Sequence, residues 1–242
     1  MAHFYLNESL ASAEVGDLVE LTGPEARHAV TVSRVHAGDK LVLGNGSGLV
    51  LGGTVAEAEP SRLTVTVAEA VQHTRDQPGI WLVQALAKGD RDEMAVQAVT
   101  ELGIDGVIPW SASRSIVRWE GSKVAKGRER WSAIAREATK QSVRPWLPEV
   151  ADLVSTKQLA QLAASTQMLV LDPEGNETLT SVTVGDRDVV VVVGPEGGIA
   201  PGELDLLTGA GAIRVRLGDN VLRTSTAGPA AVAVLSAKLG RW

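Results

Sequence analysis

Five consecutive valines, Val189–Val193, are the segment of this chain with the least structural freedom. A β-branched run with no polar alternation fits a strand covered on both faces, and such strands belong to parallel sheets flanked by helices. The turn Gly194-Pro195-Glu196-Gly197-Gly198 follows at once, and Pro201 suits the first turn of a helix carrying Leu204 and Leu207. Strand, turn and helix in that order predict an α/β fold. The turn falls at the carboxyl edge of the sheet, where open α/β sheets bind ligands.

From residue 74 onward the same alternation recurs. Ile80–Leu86 reads as an apolar strand. Asp90 is placed to cap the next helix, with Glu93 positioned for a capping box, Ala95, Ala98, Val99 and Leu102 as the apolar stripe and Gly103 as the stop. Gly106–Trp110 returns as a strand. The periodicity predicts an amphipathic helix over Ser122–Gln141 with Val124, Trp131, Ile134, Ala135 and Ala138 on its buried face and Lys123, Lys126, Arg130 and Lys140 largely outside it. Trp131 is thus a core residue rather than a platform for a base. A helix Ser155–Ala164 and the strands Met168–Leu171, Asp188–Val193 and Ala212–Leu217 complete this part.

Residues 1–73 differ. The β-prone pieces Leu18–Leu21, Lys40–Leu43, Leu49–Val55 and Arg62–Val67 alternate with polar or glycine-rich turns, which predicts a small β-barrel. Gly44-Asn45-Gly46-Ser47-Gly48 lies between two strand-like pieces and reads as a hairpin loop, not a nucleotide loop. His3, His28, His36 and His73 lack the spacing for metal ligation on one element, so no metal is expected. The chain has no cysteine, which excludes disulfides, thiolate catalysis and cysteine-based zinc sites and fits a reducing cytoplasm. The start MAHFYLNESL lacks a charged segment followed by an apolar run, and no stretch approaches about 18 uninterrupted apolar residues, so neither export nor a membrane span is expected.

Two turns of the α/β part carry candidate chemistry. In Gly194–Gly198 three glycines let the backbone approach a ligand closely. No Lys-Ser/Thr pair follows, and the Glu196 carboxylate repels a polyphosphate, so this is no phosphate loop. That carboxylate suits ribose hydroxyls, a cationic ligand or a backbone N–H that must be held in place. The second turn, Gly218-Asp219-Asn220, leads into a helix of small residues, Ala227, Gly228, Ala230, Ala231 and Ala233, suited to seating a backbone loop or another subunit. Its predicted start is near Thr226, because Pro229 then falls in the first turn. Arg223 opposes the macrodipole there, which points to a role other than helix stability. No dinucleotide fingerprint follows any strand, which argues against a nucleotide-dependent oxidoreductase.

The net charge of −6 argues against a nucleic-acid partner until its distribution is considered. Between Arg114 and Arg144 stand nine basic residues, among them Lys123, Lys126 and Arg128, against only Glu120, Glu129 and Glu137. Three acids cannot pair nine bases, so this segment suits an anionic partner.

Gly194-Pro195-Glu196-Gly197-Gly198 together with Leu217-Gly218, Val221-Leu222-Arg223-Thr224 and Thr226-Ala227 closely resembles the C-terminal signature of the RsmE family, the bacterial 16S rRNA (uracil-N3) methyltransferases. The resemblance extends to Lys88-Gly89-Asp90-Arg91, Thr100-Glu101-Leu102-Gly103, Arg114-Ser115, Arg136-Glu137-Ala138, Gln141-Ser142 and Arg144. It also reaches Phe4-Tyr5, His28 and Val32-Ser33-Arg34. It implies a PUA-like β-barrel that binds RNA over residues 1–73, followed over 74–242 by a SPOUT α/β domain with a C-terminal trefoil knot, in a cytoplasmic homodimer. The implied cofactor is S-adenosylmethionine, held near the dimer interface by Leu171, Gly194, Pro195, Glu196, Gly197, Gly198, Leu217, Gly218, Val221, Leu222, Arg223, Thr226 and Ala227. The implied reaction methylates N3 of a uridine in 16S rRNA of the small ribosomal subunit. Arg223 and Arg114 are the candidate catalytic cations for the developing uracil anion, with the proton taken by solvent or by a residue of the other subunit. Arg34, Lys88, Arg91, Arg114, Lys123, Lys126, Arg128 and Arg144 are the candidate RNA-binding residues. Ser225 stands where many members carry Glu, so a mechanism using a carboxylate there does not transfer. The alternative is a non-catalytic RNA-binding or ribosome-assembly protein retaining the fold.

Overall fold

A computed structural model describes residues 3–242. The chain forms two compact units, one made of the residues up to Arg75 together with Thr139–Leu147, the other of Asp76–Ala138 with Pro148–Trp242.

In the first unit β1 (His3–Leu6), β2 (Leu18–Thr22), β3 (Lys40–Gly44), β4 (Leu49–Glu59) and β5 (Arg62–Gln72) form a sheet in the order β1-β3-β4-β5-β2. Only the β1–β3 pair is parallel. Strands β2 to β5 are those expected from the sequence. Strand β1, the helical turn α1 (Gly23–Arg27) and a π-helical turn over His28–Val32 are additional. In β1 the consecutive residues Phe4, Tyr5 and Leu6 are all buried, so no alternation marks the strand. The β3–β4 connection is the expected hairpin loop, in which the Asn45 carboxamide oxygen accepts the N–H of Ser47 (2.7 Å) and of Leu49 (3.0 Å). Gly53 is required by close strand packing, because a Cβ there would lie 2.5 Å from a Val65 methyl and 2.6 Å from the Thr66 carbonyl oxygen.

The second unit carries a seven-stranded sheet in which every pairing is parallel. Its strands are β6 (Ile80–Ala85), β7 (Gly106–Trp110), β8 (Glu149–Val150), β9 (Gln167–Leu171), β10 (Glu177–Thr178), β11 (Val189–Val193) and β12 (Ile213–Arg216), in the order β10-β12-β9-β11-β6-β7-β8. The five valines lie between β9 and β6 and are all buried. Val189, Val191 and Val193 join Ile80 and Leu82 in a core closed by α2 (Arg91–Glu101), α3 (Ser122–Gln141) and α6 (Thr224–Lys238). Val190 and Val192 join Val83 and Ala85 in a second core under α4 (Thr156–Leu162) and α5 (Pro201–Gly209). The period-2 pleat thus divides one strand between two apolar layers.

Helix α3 keeps its predicted bounds, with Trp131, Ala135 and Ala138 buried. Lys140, however, is not on an exposed face: its ammonium pairs with Glu25 at 3.0 Å and its side chain is only 10% exposed. The expected capping box of α2 is absent. Asp90 has φ +58°, a left-handed conformation instead of the extended one an N-cap needs, and its side chain makes no capping bond. Asp92 instead accepts the N–H groups of Ala87 (3.2 Å) and Glu93 (2.9 Å), and Glu93 forks onto the Arg130 guanidinium. Helix α6 starts at Thr224, not Thr226, which puts Pro229 inside the helix rather than in its first turn. The Thr224 hydroxyl fixes the earlier start by donating to the Gly194 carbonyl at 2.8 Å. Pro229 has no N–H to offer, and the Ser225 carbonyl loses its intrahelical donor.

The N-cap position of helix α5 is Ala200, whose side chain cannot cap, and Glu203 serves instead. Its carboxylate accepts the Ala200 N–H (3.3 Å), the Ser113 N–H (2.9 Å) and hydroxyl (2.7 Å), and the Thr156 hydroxyl (2.7 Å). Burial pushes the Glu203 carboxyl up, but these bonds outweigh it and hold the group below the ordinary carboxylate value. A depressed folded-state value contributes stability that is complete above the unfolded value and is lost as pH falls through the folded one. Glu203→Gln is therefore expected to lower stability at pH 7 by about 2 kcal/mol. In urea denaturation over a pH series the gap between the two proteins should begin to narrow as the pH drops below the ordinary value of 4.5 and close only below the depressed folded-state value. A gap that persists unchanged into acid refutes this account.

Candidate functional site

The carboxyl ends of β9, β11 and β12 and the first turns of α5 and α6 surround a cavity of about 700 Å³. Strand order reverses direction in this region, because β7 and β8 extend one way from β6 while β11, β9 and β12 extend the other. Ligands of open α/β sheets bind at such crevices.

Three loops build the wall. After β9 come Leu171, Asp172, Pro173 and Glu174. The Asp172 carboxylate grips the Arg214 guanidinium at 2.6 Å and accepts the Glu174 N–H at 3.0 Å, which fixes the turn and leaves Glu174 itself 89% exposed. After β11 come Gly194, Pro195, Glu196, Gly198 and Ile199. A Cβ on Gly194 would lie 2.6 Å from Ile199, so the close return of the loop demands glycine there. Glu196 reaches across to the loop after β6, accepting the Lys88 N–H at 3.0 Å and the Arg91 guanidinium at 2.9 Å. Burial pushes the Glu196 carboxyl up, yet these bonds and its own N–H bring it below the usual range. Of the three partners open to this carboxylate in the sequence, the backbone N–H is the one it holds, with Arg91 added. After β12 come Arg216, Leu217, Gly218, Asn220, Val221, Leu222 and Arg223, running into Thr224 and Ala227 of α6. Gly218 has φ +150°, and a Cβ there would meet nothing within 4 Å.

The structure brings Leu171, Gly194, Pro195, Glu196, Gly198, Leu217, Gly218, Val221, Leu222, Arg223 and Ala227 to one cavity, with Arg91 and Arg114 beside them. Gly197 and Thr226 are off its wall. The Gly197 carbonyl accepts the Arg114 guanidinium at 3.1 Å, and the Thr226 N–H bonds the Arg223 carbonyl at 2.8 Å. Arg118 braces the Arg114 loop through the carbonyls of Ala112 (2.9 Å) and Ser113 (2.8 Å), while Glu203 holds Ser113 from the other side. Arg223 is exposed at the N-cap of α6 and makes no side-chain capping bond. Lys123 and Lys126 lie exposed on α3, whereas Arg128 is held by the Val150 carbonyl and Asp152. Lys88 is exposed in the loop after β6. Arg34, in a left-handed conformation, and Arg144 belong to the first unit and not to the cavity. Asp172, Glu174 and Arg216 are wall residues the sequence reading missed, whereas Asn220 and Thr224 lie within the Gly218–Ala227 segment it had marked. For the first two the available signal was an Asp-Pro-Glu turn directly after a strand. Among the described residues no group of His, Cys, Asp or Glu is placed to hold a metal ion, and no helix is long and apolar enough to cross a membrane.

The geometry is matched by comparison with known proteins. Residues 75–236 match the family model of an RNA methyltransferase domain, and residues 21–68 match that of an RNA methyltransferase PUA domain. The chain is 39% identical over 235 residues to the ribosomal RNA small subunit methyltransferase E of Mycobacterium bovis, covering 95% of this chain and 90% of that one. A Legionella pneumophila methyltransferase solved with bound SAM superposes with a TM-score of 0.88 at 30% identity over 98% of both chains. The ribosomal RNA small subunit methyltransferase E of Neisseria gonorrhoeae, solved bound to S-adenosyl methionine, gives a TM-score of 0.88 at 26% identity, again over 98% of both chains. With an α/β methyltransferase domain, a PUA domain and an extended match to named members, this chain belongs to the ribosomal RNA small subunit methyltransferase E family.

Proposed function

We propose that this protein uses S-adenosylmethionine to methylate N3 of a uridine in 16S rRNA, in the cytoplasm and within the small ribosomal subunit. The observation that carries the reading is the cavity itself, whose glycine-lined loops lie at the sheet edge of a chain related to proteins solved with this cofactor. The residues fit the group. Its volume suits a ligand of that size, Leu171, Leu217, Leu222 and Ala227 offer apolar surface, and the carboxylates of Asp172, Glu174 and Glu196 suit a cationic ligand bearing hydroxyls. When bound, the cofactor supplies a methyl group on a positively charged sulfur.

The chain's own residues supply orientation and charge. Uracil N3 carries a proton that must leave, which puts negative charge on the ring. Arg114 and Arg223 are the cations at the cavity proposed for that charge, while Arg91 is paired with Glu196 and Arg216 faces Asp219 at 3.6 Å. Arg114 is held by the Gly197 carbonyl, so its guanidinium is oriented before substrate arrives. Ser225 offers no carboxylate, and in this reading the proton goes to solvent or to a residue from a second copy.

The wider organisation in this reading is a PUA-like RNA-binding barrel over residues 1–73 and a SPOUT domain over 74–242. A trefoil knot is supported by the 172–188 connection, whose Leu179 and Val182 share a core with Ala231, Val232 and Leu235 of α6 and whose Thr180 carbonyl accepts from Lys238 at 2.6 Å. A homodimer is supported by Val221, 77% exposed at the cavity mouth, and by the half-buried Ala230 and Ala233. Exposed Lys123 and Lys126 serve RNA phosphates, together with Arg34, Lys88, Arg114 and Arg144, whereas Arg91 and Arg128 reach a phosphate only by sharing it with Glu196 and Asp152.

Mass spectrometry of 16S rRNA from small subunits incubated with protein and cofactor is expected to find a base-methylated uridine, and its absence overturns the reading. Gly218→Val should abolish cofactor binding in calorimetry, because a β-branched residue is strained at φ +150° and would fill open space beside the wall. Arg114→Ala should lower kcat on RNA by about 100-fold, the loss expected for one donor to a developing anion, with RNA affinity changed far less. Lys123→Ala with Lys126→Ala should weaken RNA binding and flatten its logarithmic salt slope by roughly 0.7–0.9 per contact removed, leaving cofactor affinity unchanged. Wild-type slope and affinity would remove α3 from the RNA surface.

A further inference from the structure

Gln84 lies on β6, directly opposite Val193 of β11, and none of it is exposed. A long polar side chain in the middle of a buried parallel sheet contradicts the composition of every strand beside it. Its carboxamide nitrogen donates to the Ala85 carbonyl at 3.1 Å and to the Thr224 hydroxyl at 2.8 Å. The Thr224 hydroxyl spends its single proton on the Gly194 carbonyl at 2.8 Å. That proton count fixes the amide. A flipped carboxamide would present its oxygen to a hydroxyl with no proton to spare. In the orientation observed, the Gln84 carboxamide oxygen is buried and accepts from no described protein group.

A buried acceptor without a donor costs stability, and an apolar side chain of the same shape would avoid that cost. The fold therefore does not need Gln84 for its own sake. What the residue accomplishes is to join three segments. Gly194 follows β11 and Thr224 opens α6, and both line the cavity, whereas Gln84 lies off its wall. We infer that Gln84 is a positioning residue for the cofactor: through the Thr224 hydroxyl it locks the Gly194 loop to the start of α6, and so sets the opening between two walls of the site. The inference rests on the reading of this cavity as the S-adenosylmethionine site.

The test pairs stability with affinity in the full chain. Gln84→Met should keep or raise the urea midpoint while weakening S-adenosylmethionine binding in calorimetry by about five- to tenfold, the equivalent of one hydrogen bond's worth of geometry. Thr224→Val, which keeps the shape and removes the hydroxyl, should weaken binding similarly, and Thr224→Ser should restore it. Gln84→Met combined with Thr224→Val should bind no more weakly than Thr224→Val alone, because the relay is already broken. Folded Gln84→Met and Thr224→Val proteins that bind as tightly as wild type would overturn the positioning role. So would affinity lost only in step with stability, which marks a structural residue. A wild-type protein that binds no S-adenosylmethionine would instead overturn the cofactor reading beneath it.

Discussion

The burial of β11 on both faces governs the rest of this molecule. A strand hydrogen-bonded to β9 on one side and β6 on the other, and packed by helices above and below, has no position along its length for a solvated polar group. Each valine so buried contributes roughly 1.5–3 kcal/mol, and the same packing removes the strand from chemistry. Function is displaced to the carboxyl edge, where irregular backbone is permitted. Four strands end at that edge beside one another, β12, β9, β11 and β6, which explains why segments far apart in sequence meet at one cavity.

Irregular backbone carries its own cost, since its N–H groups have no ladder to join. Carboxylates meet it here. Glu196 takes the N–H of Lys88, Glu203 those of Ser113 and Ala200, Asp172 that of Glu174, and Asp92 those of Ala87 and Glu93. These acids are occupied inside the loops they hold, so the net charge of −6 misrepresents what the chain offers to a partner. Arginines such as Arg223 and lysines such as Lys123 and Lys126 remain exposed. An acidic protein can in this way present basic surface locally, though the count over 114–144 overstates it, because Arg128, Arg130 and Lys140 pair with Asp152, Glu93 and Glu25 from outside that segment.

Much of this could be read before the structure. The valine run, helix Ser122–Gln141 and strand Gly106–Trp110 follow from periodicity, which is a local property. The glycine turns were legible because close backbone approach admits few other residues. What escaped depends on distant partners. The start of α6 is set by a bond between Thr224 and Gly194, which nothing near Thr224 announces. Asp90 occupies a cap position by spacing, but its left-handed backbone gives the task to Asp92. Gln84 reads as an ordinary strand residue until Thr224, 140 positions later, is placed beside it.

The order of the sheet also sorts charge across the cavity. Asp172, Glu174 and Glu196 follow β9 and β11, which are neighbours, while Arg91 and Arg114 follow β6 and β7 on one side and Arg216, facing Asp219, ends β12 on the other. Pairing then refines that pattern. Asp172 is compensated by Arg214 and Glu196 by Arg91, so neither imposes a full charge on the space between them. Glu174 is largely exposed on the β9 side, and Arg114 and Arg223 stand toward the β7 side and the start of α6. A ligand with a cationic centre is favoured over β9 and β11, and a group that becomes anionic is favoured toward the arginines. The site is thereby polarised before anything binds, and that polarity follows from which loops the strand order brings together at the carboxyl edge.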